Sequence, residues 1–139
     1  MKRVPAKLLI AGALFVMAGC ASTAERVLQG GNQVELRNMQ TRSFETNDKR
    51  MIVRNVVATL QDLGFVIDSA DAELGTVSAT KLNGYAIKMT VSVRKKDDKT
   101  MLVRANARYN LKAIEDAQMY QDFFTSLSKA LFLTANEIN

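Results

Sequence analysis

At 139 residues, 47% of them apolar, the chain can build one compact domain with its own core, and it is too apolar for a disordered segment. The formal charge of +5 includes Lys2, Arg3 and Lys7; without them 16 basic side chains face 14 acidic ones, too even a balance for a general affinity for nucleic acid. Histidine is absent and Cys20 is the only cysteine, which excludes an intramolecular disulfide, His-based catalytic arrangements and most transition-metal sites. The expectation is a protein that is not an enzyme and holds no cofactor and no metal.

Three basic residues in the first seven precede an uncharged run over residues 8–18, closed by the small residues Ala18 and Gly19. That is the three-part layout of an export signal. As a helix the run is about 16 Å long, roughly half a bilayer core, so it is too short for a permanent span. A plain signal peptide with Cys20 as a bystander thiol, or an uncleaved anchor, are the competing readings. Met17-Ala18-Gly19-Cys20 resembles the lipobox of bacterial lipoproteins, with Met17 where leucine is usual. The resemblance implies that residues 1–19 are a signal peptide cleaved between Gly19 and Cys20, and that Cys20 carries a diacylglyceryl group, commonly with an acyl group on its new amine. Two or more acyl chains anchor stably. In such lipoproteins Asp after the cysteine tends to retain the chain at the inner membrane. Ala21 and Ser22 stand there instead, which implies the outer membrane, with the domain facing the periplasm.

Residues 20–33, with Gly30-Gly31, read as the lipidated cysteine and a flexible tether, and residues 34–139 as a single α+β periplasmic domain. Residues 34–45 suggest a first strand by weak alternation. Thr46 or Asn47 is expected to cap a helix whose Val53, Val56, Val57 and Leu60 follow i, i+3, i+4, i+7 spacing, widened by Ile52 and Leu63 and stopped by Gly64. Phe65, Val66 and Ile67 read as a short strand before a polar turn through Asp68, Ser69 and Asp71. Residues 76–82 are a further strand, and Asn83-Gly84 signals a two-residue hairpin into Tyr85. Tyr85, Ile87, Met89, Val91 and Val93 alternate with polar residues, and after a charged turn over 95–99 so do Met101, Val103, Ala105, Ala107 and Tyr109. Only Leu102 breaks the polar face. Glu115 or Asp116 starts a last helix, striped by Tyr120, Phe123, Phe124, Leu127 and Leu131, that ends near Asn136. The expected fold is α+β: an antiparallel sheet of about four to five strands with two helices packed on one face.

Lys88, Arg94, Arg104 and Arg108 fall on the polar face of adjacent strands among Thr90, Ser92, Asn106 and Asn110. They could form an anion-binding or partner surface for phosphate or carboxylate groups, as on lipid A, anionic lipid or an acidic protein. A merely solvated sheet face uses the same side chains, and it is the plainer reading. Asp68, Asp71 and Glu73 lack the glycine and distal glutamate of a calcium loop and read as a surface turn. Tyr120, Phe123 and Phe124 read as core by their helical spacing. Met39, Met51, Met89, Met101 and Met119 also read as core, with a lipid or peptide groove as the alternative.

LQDLGFVIDSADAELGTVSATK, residues 60–81, resembles small Gram-negative envelope lipoproteins of unassigned function, in which a helix ending in Leu-Gly-Phe enters a strand and an Asp-rich turn. The element order is also loosely similar to helix-grip domains in lipoprotein subunits of the outer-membrane barrel assembly machine. These resemblances imply a location and a fold and carry over no catalytic residue. The expected function is a non-enzymatic, membrane-anchored lipoprotein acting as a binding or assembly module, with an envelope protein partner engaged through a helix-sheet groove or a strand edge and no nucleic acid. The alternatives are a carrier for a lipid or other apolar ligand, and a hydrolase working through two carboxylates. The oligomeric state is left open.

Overall fold

The structure is a computed structural model that describes residues 32–137, so the leader, Gly19, Cys20 and the tether up to residue 31 lie outside the described residues. The chain divides into two units, Met1–Val34 and Glu35–Asn139; the second is described below. The described residues form a helix through residues 32–39 (α1), which enters the second unit at Glu35, then β1 (Thr41–Phe44), α2 (Lys49–Asp62), β2 (Val66–Asp71), β3 (Thr76–Leu82), β4 (Ala86–Lys95), β5 (Met101–Tyr109), β6 (Lys112–Ala113) and α3 (Ala117–Asn136). The strands form one antiparallel sheet in the order β1-β5-β4-β3-β2, with β6 beside β5. The fold is therefore α+β, a sheet of five to six strands with three helices, of which α2 and α3 pack on it.

The first strand is shorter than its alternation suggested, because residues 34–39 are helical. Leu36, Met39 and Gln40 sit three and four apart and turn inward together, and the Gln40 N–H closes onto the Leu36 carbonyl at 3.0 Å. Asp48, rather than Thr46 or Asn47, caps α2: its carboxylate accepts the Met51 N–H at 2.9 Å. The Thr46 hydroxyl is used one step upstream, accepting from the Asp48 N–H. Gly64, at φ +85°, ends α2 in a Schellman motif, with the Gly64 N–H bonded to Gln61 O and the Phe65 N–H to Leu60 O. Leu60 and Phe65, the apolar pair that belongs with that motif, are both buried.

Strand β2 runs on through the stretch that reads as a polar turn, and the reversal comes after Asp71. Its side chains are mostly exposed, as on an edge strand, and a bulge at Asp68 shifts its register against β3. Ile52, Val56 and Leu60 from α2 and Tyr120, Phe123, Phe124 and Leu127 from α3 close over Val77, Met89, Val91 and Val103 with no exposure to solvent. Packing this close has no slack, so Phe123→Ala there costs about 3–5 kcal/mol. Asp116 caps α3 through the Gln118 N–H. All of this core lies between Leu36 and Leu131, so the second unit carries a complete core of its own.

Candidate functional site

The pairing of β4 with β5 sets Lys88 opposite Arg108, Thr90 opposite Asn106, Ser92 opposite Arg104 and Arg94 opposite Leu102. Directly paired residues share a face, so Lys88, Arg94, Arg104 and Arg108 all stand on the side of the sheet away from the helices, as the alternation predicted. β3 extends that face with Thr76, Ser78 and Thr80, and β1 extends it with Thr41 and Ser43. The cations form two groups. Lys88 and Arg108 are direct neighbours, while Arg94 and Arg104 are diagonal, and the six-residue step from Lys88 to Arg94 is about 20 Å long.

None of the four has a carboxylate partner among the described residues, where the ion pairs are Arg50–Glu73 and Lys95–Asp98. Around Arg94 and Arg104 the face dips into a hollow of about 290 Å³, walled also by Thr90, Ser92, Leu102 and Asn106. Leu102, the one apolar residue in the row, forms part of that wall. Asn110 does not join the row: it turns the chain between β5 and β6 in the left-handed region, at φ +52°. The hollow can offer two guanidinium forks, two hydroxyls and an amide to one anionic group, a set suited to binding and orienting carboxylate or phosphate.

The remaining candidates resolve differently. Asp68 accepts from the Thr80 hydroxyl at 2.7 Å, Asp71 accepts the Glu73 and Leu74 N–H groups that form the turn, and Glu73 pairs with Arg50. The three carboxylates thus go to separate partners. Among the described residues no three His, Cys, Asp or Glu side chains gather as cation ligands. Tyr120, Phe123 and Phe124 are core, as their spacing predicted. Met89 and Met101 are buried, and Met39, Met51 and Met119 pack half-buried against the core.

Between α2, α3 and the start of β4 lies a hollow of about 200 Å³ lined by Leu63, Phe65, Lys81 and Met119 with Asp116 and Asp122 on its rim. The Lys81 ammonium donates to the Leu63 carbonyl at 2.7 Å, satisfying an end of α2, and both rim carboxylates accept from Gln118. A second helix-side groove of about 380 Å³ runs beside Phe44, Met51, Leu131 and Phe132.

Sequence reasoning missed a cluster of exposed apolar side chains at one end of the sheet. Tyr85 and Tyr109 follow the inward alternation of their strands, yet both are half exposed and meet edge to face with centroids 4.6 Å apart. Leu82 pairs with Ala86, so the hairpin loop holds three residues, Asn83, Gly84 and Tyr85, where the Asn-Gly signal predicted two. Leu111 stands out from the β5–β6 turn. An isolated leucine in a polar stretch was the available signal. Among the described residues no helix is long and apolar enough to cross a membrane. No protein-family model and no curated protein matches the chain.

Proposed function

We propose that the chain is a non-enzymatic lipoprotein of the bacterial envelope, anchored through Cys20 to the outer membrane, whose periplasmic domain binds an acidic partner protein on its open sheet face. The observation that carries the binding role is the set of four cations on one sheet face, unpaired among the described residues, with Arg94 and Arg104 gathered at a polar hollow. Arg94 and Arg104 are diagonal neighbours of like charge, so an anionic group bound in the hollow between them offsets their mutual repulsion. The anchor rests on the resemblance of residues 17–20 to a lipobox and on the charged, apolar and small-residue order of the leader.

Two experiments test the two halves separately. Intact mass of the membrane-extracted chain is expected to show acyl groups on a chain beginning at Cys20 and their loss in Cys20→Ser; an unlipidated chain overturns the anchor. A photo-crosslinking amino acid at Thr90 is expected to give one discrete protein adduct in cells, lost in Arg94→Glu with Arg104→Glu. Adducts of unchanged pattern in that double variant overturn the binding face.

A further inference from the structure

We infer that the end of the sheet carrying Leu82, Tyr85, Tyr109 and Leu111 docks onto the anionic headgroup layer of a lipid bilayer, with Lys88 and Arg108 as its electrostatic contacts. This goes beyond the partner-binding reading, which is centred on the other pair of cations. Leu82 is 81% exposed, Leu111 95% and Val66 71%, so most of each residue stands in water. The register brings them to one end. Leu82 closes β3 opposite Ala86, Tyr109 closes β5 opposite Ile87, Leu111 lies in the turn that follows, and Val66 opens β2 opposite Thr80.

The shape and the charge favour a bilayer over a folded protein. The apolar groups stand on separate turns and strand ends, where they can enter a soft layer one by one. Tyrosines pairing an apolar ring with a polar hydroxyl suit the depth of lipid headgroups. Lys88 and Arg108 sit one residue inward from Ile87 and Tyr109 on the open face, where a headgroup phosphate would lie when the tip is inserted. Asp68, beside Thr80 on that face, is engaged by the Thr80 hydroxyl, and Asp116 and Asp122 line the hollow on the helix side. The other large exposed apolar residues among the described ones, Val34, Leu74, Phe132 and Leu133, belong to α1, the β2–β3 turn and the end of α3. The turn at the far end of β4 and β5 holds Lys96, Asp97, Asp98 and Lys99, a soluble mixture of both signs.

The chain contains no tryptophan, so one introduced indole reports its own surroundings. Full-length Leu111→Trp and, as the far-end control, full-length Asp98→Trp are placed on vesicles of phosphatidylcholine alone or with phosphatidylglycerol, some lipids carrying a shallow bromine quencher. Expected is a blue-shifted, quenched indole for Leu111→Trp on the anionic vesicles only, a water-like indole for Asp98→Trp on both, and partitioning reduced roughly fivefold per charge in Lys88→Gln and Arg108→Gln. A water-like Leu111→Trp indole on bound chain, equal quenching without phosphatidylglycerol, or equal quenching at both ends overturns the inference. A blue shift without bromine quenching would mean a protein or a second copy covers the tip, and it overturns the inference too. The same variants are read in the native chain and in the Cys20→Ser background, where no acyl group can hold the chain and partitioning reports the tip alone, so failure of the lipid anchor and failure of the docking tip give different results.

Discussion

The carboxamide of Gln40 donates to the Tyr120 hydroxyl at 3.1 Å across 80 positions of sequence, inside the core. The same hydroxyl accepts from the Ala107 N–H at 3.2 Å and donates to the Ile114 carbonyl at 2.7 Å. On the side of β5 away from β4, β1 pairs with its first part and β6 with its last residues, which leaves the Ala107 N–H between them without a strand acceptor. Tyr120 supplies the missing partner, so one phenol joins α3, the end of α1, β5 and the entry to α3. Tyr120→Phe keeps the ring and leaves a buried N–H, a buried amide and a carbonyl without it. The expected loss is about 2–3 kcal/mol in urea unfolding, with secondary structure by circular dichroism unchanged.

Gly75 and Gly84 both have φ +73°, yet they do not respond alike to a methyl group. A Cβ on Gly75 would run into the Val93 carbonyl oxygen, because the Val93 N–H is bonded to Gly75 O at 2.7 Å and the two backbones lie close together. A Cβ on Gly84 meets open space. Gly84→Ala therefore bears only the left-handed backbone cost of about 1–2 kcal/mol, and Gly75→Ala adds overpacking of about 1–3 kcal/mol to it. Thermal unfolding of the two variants side by side is expected to give the lower Tm for Gly75→Ala. Equal values would mean that the backbone at Gly75 moves aside.

Much of this fold is legible locally. The stripes of α2 and α3, the Gly64 stop and the alternation of β4 and β5 each rest on burial of a continuous face, and that same alternation placed Lys88, Arg94, Arg104 and Arg108 together. The misreadings share a different origin. α1 touches the core through Leu36 and Met39 alone, and the buried polar Gln40 makes sense only beside Tyr120, far along the chain. β2 reads as a turn because an edge strand has little apolar surface to bury. Tyr85 and Tyr109 follow the inward period but lie past the cover of the helices, and neither periodicity nor composition says where a sheet outruns its helices.

The Asp97 carboxyl titrates below the ordinary Asp range, chiefly because the Lys99 N–H donates to it, with the Thr100 hydroxyl next in effect and Lys96 adding attraction. A depressed folded value means that the carboxylate's contribution is present above the unfolded Asp value and is lost as pH falls through the lower folded one. The β4–β5 turn is thus expected to keep its geometry at neutral pH and to loosen only in strong acid. Carboxyl NMR titration is expected to show Asp97 with a depressed midpoint and a concerted shift of the Lys99 amide. An ordinary midpoint would mean that the turn is open in solution.

Lys88 and Arg108 face each other on β4 and β5 with no carboxylate paired to either among the described residues, an arrangement that favours binding over stability. Lys88→Glu replaces the repulsion with an attractive cross-strand pair, so the fold is expected to gain about 0.2–1 kcal/mol in urea unfolding. The same change places a carboxylate where an anionic headgroup would sit. Docking of the sheet end on phosphatidylglycerol vesicles should then fall further than in Lys88→Gln, which removes the charge without reversing it. A rise in stability together with a loss of docking is the signature of a residue kept for its ligand. Were Lys88→Glu to lower stability, the face would already hold a compensating arrangement of charge, and the repulsion invoked for Lys88 and Arg108 would be absent in solution.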